Sequence, residues 1–145
     1  MAEGREIQMN IPAVTERLHE VLGQIDALLE EAGCPMKIQM QIDLAVEEIF
    51  VNIANYAYGD EGGDVDIRAV VTDDPGEITI TFTDSGVRYD PVTAEDPDVT
   101  LSAEKREIGG LGIFLTKKSM DELEYEFKDG KNILKMKKKL TLKDR

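Results

Sequence analysis

The chain reads as an α+β fold, a two-layer sandwich with a mainly antiparallel sheet and helices on one face. Three observations predict this. The first part of the chain carries apolar residues at helical spacing, the pattern then changes to strict alternation, and the alternating segments are joined in pairs by short turns. The resulting order is helix, helix, strand, strand, loop, helix, strand, strand. Hairpin-linked strands with helices gathered on one side give a sandwich, whereas a doubly wound sheet needs strands and helices in alternation.

A short strand is expected around Glu6 to Asn10. Pro12 suits a first helical position, and Val14, Leu18, Val21, Leu22, Ile25, Leu28 and Leu29 recur at helical spacing until Gly33 closes the helix. A second helix is expected from near Pro35, with Ile38, Ile42, Ala45, Val46, Ile49, Phe50, Ile53 and Ala57 on one side and an end by Gly59. Val65, Ile67, Ala69 and Val71 then alternate with mostly polar neighbours. After the turn residues Asp73 to Gly76, Ile78, Ile80 and Phe82 alternate with Thr79, Thr81 and Thr83. Residues 87 to 108 show no period and contain Pro91 and Pro97, as a lid or binding loop would. From Gly112 a helix is expected to about Met120, followed by a strand with Leu123, Tyr125 and Phe127 on one face. An Asp129-Gly130 turn leads to a last strand rich in lysine.

With 145 residues and 41% hydrophobic content, residues 1–145 are expected to form one domain with a real core. No apolar run is long enough to span a bilayer and the first residues lack a signal-peptide pattern, so a cytoplasmic protein with no membrane partner is expected. Cys34 is the only cysteine and His19 the only histidine, which excludes an internal disulfide and argues against a structural zinc site or a Cys/His nucleophile pair. Cys34 is expected to pack.

The net charge of -13 argues against direct nucleic-acid binding, which needs a basic surface. Residues 128 to 145 are the exception, with eight of the 17 Lys and Arg against two acids. Leu134, Met136, Lys138 and Leu140 fall on one strand face there and Lys135, Lys137 and Lys139 on the other. This is expected to keep a sheet soluble near its edge.

Three polar clusters carry the chemistry. On a helical wheel with Glu48 at 0°, Asn52 falls at about 40° and Asn55 at about -20°, beside an apolar face centred at about 120°. A polar row of this kind can manage a metal and a proton, or simply mark a surface edge. Asp84 takes the last inward position of a core strand, where a carboxylate is costly without partners. It can cap the Asp84-Ser85-Gly86 turn or accept a hydrogen bond from an exocyclic amine such as that of adenine. Gly109, Gly110 and Gly112, with Leu111 between them, precede a helix and can admit phosphate oxygens to backbone amides, or act as a hinge. The cluster matches neither a P-loop nor a dinucleotide fingerprint.

In order and separation, Ala45 to Tyr58, Asp84 to Pro91 and Gly109 to Leu115 resemble the N, G1 and G2 boxes of the GHKL ATPase superfamily. Within it the chain resembles the anti-sigma factor serine/threonine protein kinases, along nearly its whole length. The resemblance implies the Bergerat ATP-binding fold, ATP and Mg²⁺ as cofactors, and phosphorylation of a serine on an anti-anti-sigma (STAS-type) partner. A sigma factor as second partner and a homodimer are compatible with it.

Carried over by position, Glu48 would be the catalytic base and Asn52 the metal ligand, with Asn55 of the same polar row also binding the cofactor. Asp84 would bind the adenine amine and Gly86 would let the base seat against the chain. Residues 87–108 would be the ATP lid, with Gly109, Gly110, Leu111 and Gly112 at its phosphate-contacting hinge. Arg106 is the nearest lid arginine, though further from the glycines than the pattern expects. Two other readings share the residues: a nucleotide- or protein-binding module without transfer, and the ATPase part of a histidine kinase, for which His19 is the only phosphoacceptor available.

Overall fold

In the computed structural model, residues 5–58, 62–73, 76–88, 116 and 118–141 are described. Strand β1 (Arg5–Pro12) opens the fold, buries Met9 and Ile11, and pairs antiparallel with β2 (Asp64–Asp73), from Arg5 opposite Val71 to Pro12 opposite Asp64. The helix expected from Pro12 therefore starts later. Pro12 ends the strand, the Ala13 amide donates to the Gly63 carbonyl at 2.9 Å, and a 3-10 turn over Thr15–Arg17 leads into α1 (Leu18–Glu31). Sheet pairing to β2 prevails over the helix-start preference of proline. Val14, expected on the buried face, is extended (φ -130°) and 40% exposed.

Helix α2 (Met36–Tyr56) begins directly after Pro35 and runs 21 residues, close to the expected span. Its buried residues are Ile38, Gln39, Ile42, Ala45, Val46, Ile49 and Phe50. Val21, Ile25, Leu28 and Leu29 of α1 complete the helical layer of the core. Gly33 (φ +74°) closes α1, and Cys34 packs half-buried against the core, its thiol donating to the Pro35 carbonyl.

Strands β2 and β3 (Gly76–Asp84) form the expected hairpin. Val65, Ile67, Ala69 and Val71 on one strand and Ile78, Ile80 and Phe82 on the other are all buried. Strands β4 (Glu122–Lys128) and β5 (Lys131–Lys139) form a second hairpin through Asp129 (φ 54°) and Gly130 (φ 78°). Two successive positive φ values are the signature of a type I′ turn, which fits the twist of the flanking strands.

The five described strands are antiparallel in the order β1-β2-β3-β5-β4. This corrects the placement of the lysine-rich strand, because β5 lies inside the sheet between β3 and β4. Leu134 and Met136 face the core while Lys135 and Lys137 lie opposite Thr81 and Thr79 on the other face. The lysines therefore solvate a sheet face, where Lys135 approaches Glu124 at 3.7 Å, and do not guard an edge. On β4, Leu123 and Tyr125 pack against the core, but Phe127 is 37% exposed. Of the helix expected from Gly112 to Met120, Thr116, Lys118 and Ser119 are helical, and residues 112–115 and 117 lie outside the described residues. Among the described residues no helix is long and apolar enough to cross a membrane.

Candidate nucleotide site

Asp84 sits at the last position of β3, paired with Val65 of β2 on one side and Asn132 of β5 on the other. Strand alternation turns it inward after Ile80 and Phe82, and it is 6% exposed. A carboxylate so placed needs donors. Its Oδ1 receives two: the Gly86 amide at 2.8 Å, which makes the Asx turn expected of Asp-Ser-Gly, and Asn132 Nδ2 at 3.0 Å. Both bonds end on Oδ1, and among the described residues Oδ2 has no donor. The turn and the strand pairing therefore engage one oxygen of this side chain and leave the other without a described donor.

The turn after Asp84 lies against the C-terminal end of α2. The Val87 amide donates to the Ala57 carbonyl at 2.7 Å, and a Cβ at position 86 would lie 2.1 Å from that same oxygen. Glycine is required at 86 by this close approach, a packing reason that precedes any role in seating a base. Tyr58 adds a second tie. Its hydroxyl donates to the Asp64 carbonyl at 2.6 Å and accepts from the Ser85 amide at 2.8 Å, while Gly63 leaves room for its ring. Burial, more than any other influence, pushes the Tyr58 phenol upward.

The C-terminal end of α2, at Ala57, thus meets the turn after β3. Along the axis, Asn52 is about 8 Å and Glu48 about 14 Å from Ala57, at a rise of about 1.5 Å per residue. Glu48 and Asn52 are half-buried and Asn55 is exposed, so the row lies on the margin of the buried face as the helical wheel predicts. To the other described residues these three side chains make no hydrogen bond, which leaves their oxygens available. Burial, reinforced by the neighbouring Glu47 carboxylate, raises the Glu48 carboxyl above its ordinary range, which strengthens it as a proton acceptor.

Arg106, Gly109, Gly110, Leu111 and Gly112 lie outside the described residues, as does the expected lid from residue 89 onward. Its first two residues are described and both are anchored. Val87 is held by Ala57 and by Asn132 Nδ2, which donates to the Val87 carbonyl at 2.9 Å, and the Arg88 guanidinium lies 5.2 Å from the centroid of the Phe127 ring. His19 is exposed on the first turn of α1. Among the described residues no group of three His, Cys, Asp or Glu side chains could hold a metal ion. Mg²⁺ does not need one, because it is commonly held by one or two protein oxygens together with substrate phosphates.

Three residues absent from the sequence-based site enter it here. Asn132 and Tyr125 are brought to Asp84 by the β3–β5 and β4–β5 pairings, and Tyr58 by the bend of the chain between α2 and β2. Only the antiparallel register places Asn132 opposite Asp84.

Comparison with known proteins places the chain in a family. The family described as "Histidine kinase-like ATPase domain" matches residues 11–138. The serine-protein kinase RsbW of Listeria monocytogenes is 26% identical over 134 residues, covering 89% of this chain and 84% of that protein. The serine-protein kinase RsbW of Halalkalibacterium halodurans is 29% identical over 133 residues, covering 86% and 77% respectively. The serine/threonine-protein kinase BtrW of Bordetella bronchiseptica is 28% identical over 98 residues, 68% of each chain. Among solved structures, the RsbU and RsbW domains of a Mycobacterium tuberculosis protein superpose with a TM-score of 0.69 at 15% identity, covering 97% of this chain and 34% of that one. The SiaB-SiaC complex from Pseudomonas aeruginosa gives 0.61 at 16% identity, covering 91% and 88%. With residues 11–138 matched, the chain belongs to the histidine kinase-like ATPase domain family, and within it is similar to the RsbW-type serine-protein kinases.

Proposed function

We propose that the protein is an ATP-dependent serine protein kinase that acts as an anti-sigma regulatory factor and phosphorylates an anti-anti-sigma partner. The observation that carries the reading is Asp84: a buried carboxylate with one oxygen spent on the fold and the other without a described donor, on the turn that receives the end of α2. That oxygen suits the exocyclic amine of adenine. The kinase names of the relatives and the carboxylate and carboxamide on α2 support transfer beyond binding.

In this reading Asp84 Oδ2 accepts from the adenine amine, and Gly86 keeps the turn against Ala57. Asn52, through its carbonyl oxygen, would hold Mg²⁺, which supplies charge neutralisation on the phosphates. Glu48 orients the substrate hydroxyl and takes its proton as the serine Oγ–P bond forms and the bond from the γ-phosphorus to the β–γ bridging oxygen breaks, so that ADP leaves. Phosphoryl transfer asks mainly for positioning, so a half-buried base of raised pKa on a rigid helix is well suited to it.

The test is incubation with γ-labelled ATP, Mg²⁺ and an extract of the source cell, with mapping of the labelled residue. Acid-stable phosphoserine on a partner, lost on Glu48→Gln, is the expected result. Nucleotide binding without any labelled partner would favour a non-catalytic module, and acid-labile label on His19 a histidine kinase.

A further inference from the structure

Asn132 is 6% exposed at the second position of β5, where a side-chain amide must satisfy two donors and an acceptor away from water. Its surroundings decide which way it faces. Asp84 Oδ1 at 3.0 Å and the Val87 carbonyl at 2.9 Å only accept, so Nδ2 must point at them, with the Gly86 carbonyl at 3.5 Å on the same side. A flipped amide would set an oxygen against a carboxylate and a carbonyl. The Tyr125 hydroxyl then donates to Asn132 Oδ1 from the adjacent strand.

We propose that Asn132 is a positioning residue for purine recognition: by holding Asp84 Oδ1 and the Val87 carbonyl with one amide, it offers Asp84 Oδ2 alone to the ligand and fixes the turn that carries it. The proposal rests on the reading of Asp84 as the residue that binds the adenine amine, and adds what gives that residue its direction. With only the Gly86 amide as donor, the carboxylate of Asp84 could rotate between its two oxygens and drift from the ligand plane. The Asn132 bond removes that freedom, and Tyr125 removes the freedom of Asn132. Reading a single amine by one oxygen is a matter of angle, so the gain should be in discrimination more than in general affinity.

The experiment compares ATP with purine riboside triphosphate, which lacks the exocyclic amine, by calorimetry on the full chain. The wild type should prefer ATP. Asn132→Ala should lower that preference by about tenfold or more, because the oriented acceptor is what the analogue cannot use. Tyr125→Phe, which removes only a hydroxyl and keeps the ring packed on β4, should lower it by a smaller factor and serves if Asn132→Ala does not fold. An equal weakening of both nucleotides in both variants, with the preference intact, would mean that Asn132 is merely structural and would overturn the proposal. A wild type that binds the two nucleotides equally would instead overturn the assignment of Asp84 to the adenine amine.

Discussion

Gly86 and Ala57 are in contact so close that position 86 has no room for a side chain: a Cβ there would lie 2.1 Å from the Ala57 carbonyl oxygen and 2.6 Å from the Ala57 Cβ. The oxygen it would strike is the one that accepts the Val87 amide. One contact thus joins the end of the helix carrying Glu48 and Asn52 to the turn carrying Asp84.

Gly86→Ala should therefore uncouple the two halves of the site. The obstacle is backbone, which cannot swing aside like a flexible side chain, so the turn or the helix end must move, at a cost of roughly 1–3 kcal/mol or more. A chemical-denaturation midpoint below wild type, together with weaker ATP binding, is expected. Unchanged stability would show that the turn does not rest on α2.

Much of this arrangement is legible in the sequence because it is local. The alternation of Ile78, Ile80 and Phe82 alone turns Asp84 inward, and the spacing of Glu48, Asn52 and Asn55 alone puts them on one helix margin. What was not legible is pairing. Asn132 meets Asp84 across 48 residues of chain, and β5 enters the sheet beside β3 although β4 precedes it. The same non-local pairing ended β1 at Pro12, where local preference favoured a helix, and put the lysines of β5 on a face instead of an edge.

Replacing Asp84 by Asn tests the division of labour between its two oxygens. Asn132 and the Gly86 amide both donate toward Oδ1, so an amide at 84 must turn its own oxygen to them and its NH₂ to the ligand. A donor would then face the adenine amine. ATP binding should weaken by about 1.5–3 kcal/mol, the usual worth of a hydrogen bond to a charged group. GTP, which offers a carbonyl at that position, should lose less or gain. Calorimetry showing parallel losses for both nucleotides would remove Asp84 from base recognition.

The helix pair should carry its own pH dependence. Asp26 of α1 and Asp43 of α2 each have one buried oxygen without a hydrogen-bond partner among the described residues. Two carboxylates cannot bond to each other, but one proton between them supplies a donor. Burial first, then the Asp26 carboxyl and the Glu30 charge, push Asp43 up from 3.8 to about 8, and Asp43 in turn helps burial raise the Cys34 thiol. A folded-state pKa above the unfolded one gives stability that is fully present below about pH 4 and is lost as pH rises to about 8. Because the pair is only half-buried, solvent screening holds the effect to on the order of 1 kcal/mol. Thermal melts should fall from pH 5 to pH 8 in the wild type and fall less in Asp43→Asn, which keeps a donor at every pH. Parallel curves for the two proteins would exclude a shared proton.

Glu48 and Asn52 stand one turn apart on the same margin of α2, yet they should fail differently when changed. Glu48→Gln keeps the size and the acceptor oxygen but cannot take a proton. Nucleotide binding should persist in the presence of Mg²⁺ while transfer to the partner serine drops by roughly 10²-fold or more, the loss expected for a positioned proton acceptor. The burial that raises the Glu48 carboxyl adds a second signature: the acidic limb of the rate profile should lie above the ordinary glutamate range in wild type and disappear in the Gln variant. Asn52→Ala removes a metal-binding oxygen, so Mg²⁺-dependent ATP affinity and transfer should fall together, and raising Mg²⁺ should restore part of both. Neither change should move the melting temperature much, because both side chains lie at a half-buried margin without described hydrogen bonds. Paired calorimetry and phosphotransfer assays decide the matter: a Glu48→Gln protein that phosphorylates its partner at the wild-type rate would leave the row on α2 as a binding surface and the protein as a regulatory module without transfer.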